Sequence, residues 1–167
     1  MKLKNTEDAL DAFAKEAVRY AQLNLGTIRT LRYTTRPIRS NSVASGTLKK
    51  SLRYYRTDTR FEFTADSPAD GYADRVEYGT DPGTVVPVEK LEDWIRRKPV
   101  KMRDKEGRFI KSTDAAVKSA AMRFVTAIYE RGIPGTFFYS RGIEQALDRS
   151  TKKIETALLK DLEINLL

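Results

Sequence analysis

Tyr72-Ala73-Asp74-Arg75-Val76-Glu77-Tyr78-Gly79-Thr80 is the stretch on which the fold turns. Tyr72, Val76 and Gly79 recur at a spacing near four, which fits one side of a helical turn; a strand is the other reading, and the helical turn is favoured. The element stops at Gly79, where a positive φ costs little. Glu77 and Tyr78 therefore leave it in fixed directions.

Working outward toward the N-terminus, Leu52, Tyr54 and Arg56 alternate with Arg53 and Tyr55, and Phe61 and Phe63 flank Glu62. This period of two marks half-buried strands, with Asp58-Thr59 suited to the hairpin turn and Gly46 to the bend before Leu48. Thr27 to Arg39 reads as a basic strand or extended arm broken at Pro37. Before it, Leu10, Phe13, Ala14, Ala17, Val18 and Ala21 form one helical stripe over about Glu7 to Leu25, with Asn5 or Thr6 as N-cap and Gly26 as stop.

Toward the C-terminus, Pro87 opens a short helix with Leu91, Trp94 and Ile95 on one face, ended at Lys98-Pro99. Val100 to Lys111 suggests a small hairpin bending near Glu106-Gly107. A helix capped by Ser112, Thr113 or Asp114 then carries Val117, Ala120, Ala121, Phe124, Val125 and Ile128 and stops at Gly132. Gly142 to about Ile164 gives a last amphipathic helix whose stripe is Ile143, Leu147, Leu158 and Leu162, with Ile154 beside it. The expectation is an α+β fold: a small antiparallel sheet with a long N-terminal helix, a helical insertion and a long C-terminal helix. Residues 1–167 are read as one domain, with an inserted helix–hairpin–helix at about 81–131. A chain of this length buries roughly 70% of its unfolded surface, enough for a modest core.

The chain has no Cys and no His. Disulfides, thiol nucleophiles and imidazole bases are excluded, leaving carboxylates, Lys, Tyr or Ser for any chemistry. Acids between Asp66 and Asp81 are the one candidate for a metal-dependent nuclease, but they alternate with Pro, Gly and Ala, where Asp serves local backbone bonds. Gly132-Ile133-Pro134-Gly135-Thr136 lacks the Lys and Ser/Thr of a phosphate loop and reads as a helix stop. No catalytic residue, metal or cofactor is expected. No apolar run approaches the roughly 18 residues that span a bilayer, and Met1 to Asp8 has no signal core, so a soluble protein made in a cytoplasm, without a membrane partner, is expected.

The net charge of +8 is unevenly spread. From Ala17 to Thr57 there is no Asp or Glu, while Arg19, Arg29, Arg32, Arg36, Arg39, Lys49, Lys50, Arg53 and Arg56 fall there. Arg96, Arg97, Lys98, Lys101 and Arg103 make a second cluster. Asp58, Glu62, Asp66, Asp70, Asp74, Glu77 and Asp81 lie between the two. These runs are either solvated faces or separate basic and acidic surfaces suited to head-to-tail self-association. Arg53-Tyr54-Tyr55-Arg56 also has the composition of a nucleic-acid surface, although adjacent strand aromatics put one ring on each face of a sheet.

Three stretches together resemble the neck or tail-completion family of tailed bacteriophages: Gly46-Thr47-Leu48 leading to Ser51-Leu52, then Tyr72 to Thr80, then Pro134-Gly135-Thr136-Phe137-Phe138. The family patterns are G-x-L-x-x-S-[IL] before a hairpin, Y-A-x-x-V-E-[YF]-G-T, and P-x-x-F opening the last helix. The chain has Ala44-Ser45 where relatives often carry an acid and Thr, and Asp81 to Arg131 intervenes before the last pattern. The resemblance implies a non-enzymatic virion protein: a homo-oligomeric ring of about six or about twelve copies, in the neck between the DNA-filled head and the tail. Its station there is left open as joining ring, tail terminator or stopper-like part. Implied partners are the portal or adaptor side, the tail-tube side and, non-specifically, DNA in the lumen. The alternative is a non-viral basic nucleic-acid-binding module.

On this reading Glu77, Tyr78 and Gly79 of one subunit are expected to meet Arg53 and Arg56 of the next. Arg29, Arg32, Arg36, Arg39, Lys49 and Lys50 are expected to face the lumen DNA or an adjoining ring. The competing expectation has Glu77 paired with an Arg of its own subunit and Tyr78 in the core.

Overall fold

A computed structural model of the chain describes residues 3–31, 38–40, 42–43, 45–57, 60–98, 104, 106, 108–109 and 111–166. Helix α1 runs over Lys4–Gly26, strands β1 over Arg29–Leu31 and β2 over Ile38–Ser40, and the short helix α2 over Thr47–Ser51. Strands β3 (Leu52–Arg56) and β4 (Phe61–Ala65), helix α3 (Asp70–Tyr78) and strand β5 (Gly79–Thr80) follow. Helices α4 (Val88–Arg97) and α5 (Asp114–Arg131), strand β6 (Ile133–Pro134) and helix α6 (Phe138–Leu166) complete the chain. The fold is α+β, as expected, with the antiparallel strand pairing among the described residues divided over three two-stranded ladders, β1–β2, β3–β4 and β5–β6. Tyr72 to Tyr78 takes the helical alternative.

The long helices α1 and α6 lie antiparallel: Asn5 and Thr6 meet Asp161 at one end, and Ala21 meets Gly142 toward the other. Their contact is built from small residues. Ala14, Ala17 and Ala21 on α1 and Ala146 on α6 are fully buried, and a Cβ added at Gly142 would sit 2.7 Å from the Ala21 nitrogen and 2.9 Å from the Ala17 oxygen. Such close approach turns the face containing Gly142, Ala146 and Ser150 inward. The expected core stripe of α6 is thereby corrected: Ile143 and Ile154 pack inward, but Leu147, Leu158 and Leu162 are 49%, 40% and 38% exposed.

The hairpin β3–β4 pairs Leu52 with Ala65 through Arg56 with Phe61. Phe61 and Phe63 meet Phe13 of α1 edge-on at 6.2 and 6.4 Å, and Tyr54 lies against both. Offset and edge-on rings of this kind add about 0.5–1.5 kcal/mol per pair beyond burial. Tyr55 points the other way, exposed, as alternation requires. The strand begins at Leu52, where the alternation of the sequence begins, and the short helix α2 with its buried Leu48 leads into it.

Helices α4 and α5 pack on one another around Ile95, Val117, Ala120, Ala121 and Phe124, with Trp94 edge-on to Phe124 at 5.7 Å. Thr113 caps α5 by accepting from the Ala116 N–H, as its sequence position suggested. Of the hairpin expected over 100–111, most lies outside the described residues. Asp104 and Arg108 close a turn there, through Asp104 N–H to the Arg108 carbonyl at 3.0 Å and Arg108 N–H to Asp104 Oδ1 at 2.8 Å. The expected turn at Asp58-Thr59 also lies outside them.

Candidate functional site

The three stretches singled out in the sequence meet at the start of α6. Leu48 and Leu52 from the first, Ala73 from the second and Phe138 from the third share one hydrophobic cluster with Ala21, Leu25 and Tyr139. Polar contacts then fix the join. Helix α6 begins with N–H groups that have no partner inside the helix, and Glu77 supplies it from α3. Its Oε2 accepts from the Tyr139 N–H at 2.9 Å, and its Oε1 accepts from the Ser140 N–H at 2.9 Å and the Ser140 hydroxyl at 2.6 Å. The carboxylate is also placed against the positive end of the helix dipole, where negative charge is favoured.

This geometry corrects both expectations for Glu77. It is 4% exposed, and its carboxylate is taken up by helix-start donors of its own chain rather than by an arginine. Tyr78, next along, is 67% exposed and not in the core. The two differ because successive residues of α3 point about 100° apart around the helix.

Gly79 has φ +87°, and a Cβ on it would meet the Ile133 carbonyl oxygen at 2.1 Å. Its role is a backbone crossing: Gly79 pairs with Pro134 and Thr80 with Ile133. Thr136 N–H donates to the Val76 carbonyl at 3.0 Å and Phe137 N–H to the Glu77 carbonyl at 2.9 Å, extending the crossing to the foot of α6. The loop that carries P-x-x-F is thus threaded along the end of α3.

The arginines expected opposite Glu77 have partners of their own. Arg53 pairs with Asp66 at 3.2 Å, and Arg56 pairs with Asp11 at 3.3 Å and Glu7 at 3.9 Å on α1. The acid-free stretch from Ala17 to Thr57 is therefore neutralised in part by acids from outside it. Each pair is exposed enough to contribute only about 0–1 kcal/mol. Lys50 is exposed on α2 and Lys49 half-buried. Arg29 and Arg39 lie in β1 and β2, while Arg32 and Arg36 fall outside the described residues. In the second basic cluster Arg96 is tied to Glu92 at 3.3 Å and Asp114 at 3.2 Å, and Lys98 Nζ lies 5.6 Å from the Trp94 ring centre.

Two contributors carry no sequence signal. The Tyr139 hydroxyl donates to the backbone carbonyls of Arg53, at 3.0 Å, and Thr64, fastening α6 under the hairpin, and burial pushes its phenol well above the usual range. Asp161 caps α1 from the far end of α6. It accepts from Asn5 N–H at 3.1 Å, Asn5 Nδ2 at 2.7 Å, Thr6 N–H at 2.7 Å and the Thr6 hydroxyl at 2.8 Å. Burial alone would push its carboxyl up, but the Thr6 and Asn5 donors outweigh it and hold the group down at about 2. Asn5 and Thr6, expected to cap α1 themselves, instead sit inside its first turn and donate.

Among the described residues no group of three or more Asp or Glu converges to hold a metal ion. A cleft of about 320 Å³ opens between β4, α3 and α6, floored by Phe63, Ala65, Phe138 and Ile143 and rimmed by Asp70, Asp74 and Tyr78. No helix among the described residues is long and apolar enough to cross a membrane. Comparison of the chain with protein families, curated proteins and solved structures finds no match.

Proposed function

We propose that the protein is a non-enzymatic ring component of a tailed-bacteriophage neck, joining the DNA-filled head to the tail and passing DNA through its lumen. The observation that supports this reading is the convergence of the three family-like stretches. Words of sequence separated by up to about ninety residues would be a coincidence if they lay apart. Instead the Glu77 carboxylate of the second holds the helix opened by the third, and Leu48 and Leu52 of the first pack against Phe138 of the third. The mechanism is geometric: a rigid α1–α6 frame presents charged surfaces for copies to associate around an axis, with heterologous contacts closing when the rotation permits. Basic side chains along the wall would hold DNA through its phosphates and without base recognition.

A clean deletion in the producing phage tests it. The expected outcome is DNA-packed heads and free tails that do not join, or heads that leak, with the protein seen as a ring at the neck by electron microscopy of wild-type particles. Normal infectious particles from the deletion would overturn the reading. Salt-sensitive DNA binding by a protein that never enters particles would favour the non-viral nucleic-acid module. Incubation with DNA and magnesium or manganese is expected to leave the DNA intact.

A further inference from the structure

The β3–β4 ladder has an open edge beside the acid-rimmed cleft. The bonds from Asp66 N–H to the Ser51 carbonyl and from Thr57 N–H to the Arg60 carbonyl set the phase of the ladder. With the register of the strands, they make Arg53–Thr64 and Tyr55–Glu62 the hydrogen-bonded pairs. Phe61, Phe63 and Ala65 therefore turn their N–H and C=O groups away from β3. None of these groups has a hydrogen-bond partner among the described residues. An edge of this kind is a template for a further strand.

The cleft at that edge is lined by Phe63, Thr64 and Ala65 of β4 and by Asp70, Asp74 and Tyr78 of α3, and no cationic residue lines it. The Asp70 carboxylate accepts only from the neighbouring Gly71 N–H, and the Asp74 carboxylate has neither hydrogen bond nor ion pair among the described residues. The site offers backbone pairing along one wall, negative charge and an aromatic ring along the other, and an apolar floor for aliphatic stems. That combination fits an extended segment rich in arginine or lysine.

Such a segment exists in the chain itself. β1 and β2 form a two-stranded ribbon, pairing Arg29 with Ser40 through Leu31 with Ile38. The sequence from Arg29 to Ser40 holds Arg29, Arg32, Arg36 and Arg39 and no acid. A two-stranded ribbon is marginal alone and gains from joining a larger sheet. We propose that the β1–β2 ribbon of a second copy adds to the open edge of β4, seating its basic side chains in the Asp70–Asp74 cleft and making a four-stranded sheet across the subunit boundary. This rests on the reading of the protein as a self-assembling ring, and assigns the contact that α3 makes in it to Asp70 and Asp74 rather than to Glu77.

The absence of native cysteine allows a direct test on the full chain. Asp74→Cys protein is mixed with Arg39→Cys protein, joined with a short thiol-to-thiol linker and run on a denaturing gel, while native mass spectrometry records assembly of the unlinked wild-type chain. The expected result is a covalent heterodimer in the mixture, absent from either variant alone, and lost when Asp70→Arg is added to the Asp74→Cys chain without change in its circular dichroism. Oligomers by mass without the cross-link would overturn this contact and leave the ring reading standing. A monomer by mass with no cross-link would overturn both.

Discussion

The α1–α6 frame and the α4–α5 insert are held together in opposite ways. The frame is closed by groups far apart in the chain: Asp161 on the start of α1, Glu77 on the start of α6, and Tyr139 beneath the β3–β4 hairpin. Its helix contact is small-residue and tight, so the stabilisation lies in dispersion and satisfied helix ends more than in large side chains. The insert is closed by near neighbours: Ile95, Trp94, Val117 and Phe124 come from two consecutive helices, with Phe124 as its largest buried side chain. Long-range closure makes a unit that opens as a whole; local closure makes one that can open alone.

The largest expected effect comes from breaking the frame at its cap. Glu77→Ala removes the acceptor of three donors at the start of α6, the buried Tyr139 N–H and the two partly buried donors of Ser140, and a stability loss of roughly 3–4 kcal/mol is expected, since a buried group left unsatisfied costs about 1–3 and a hydrogen bond to a charged group is worth about 1.5–3. Chemical denaturation checks this, and a loss confined to the α4–α5 signals would contradict it. Gly142→Val tests the tight contact. Its Cβ meets backbone rather than movable side chain at 2.7 Å, so about 3 kcal/mol of overpacking strain is expected in the frame's unfolding midpoint.

Phe124→Ala should also cost about 3 kcal/mol, but inside the insert. Amide exchange is expected to quicken in α4 and α5 while α1 and α6 keep their protection. Equal quickening throughout would erase the distinction between the two regions. A smaller effect is the acid response of the frame. Because the Asp161 carboxyl is held down at about 2 by Thr6 and Asn5, its contribution is complete above the unfolded carboxyl range and is lost as pH falls from about 4 toward about 2. Thermal unfolding across that window should be less pH-dependent in Asp161→Asn than in the wild type. The smallest is Leu158→Lys on the exposed side of α6, expected within about 0.5 kcal/mol of wild type.

The same contrast governs what could be read in the sequence. The insert was legible because its signals are local: Pro87 before α4, the Thr113 cap and Gly132 stop of α5, and apolar faces that match the real core. In the frame, the existence of α1 and α6 was legible and their closure was not. α6 starts at Phe138, earlier than Gly142, because the carboxylate that caps it lies in α3. Its buried face was misread because hydrophobic spacing favours the leucines, whereas the interface selects Gly142, Ala146 and Ser150 for size. Of the candidate site, Gly79's positive φ followed from its turn position, but for Glu77 the sequence offered only an interface acid or a partner for an arginine of its own subunit. Only the open donors at the start of α6, invisible in sequence, explain its burial.

Amide hydrogen exchange of Glu77→Gln against the wild type, under native conditions, tests the clasp between the sequence stretches most directly. Gln keeps the size and removes the charge, putting an N–H₂ where an acceptor is required. Faster exchange is expected through the first turns of α6, in α1 facing it and in the β5–β6 crossing, with α4 and α5 unchanged. Wild-type protection at Tyr139 and Ser140 in the variant would contradict it.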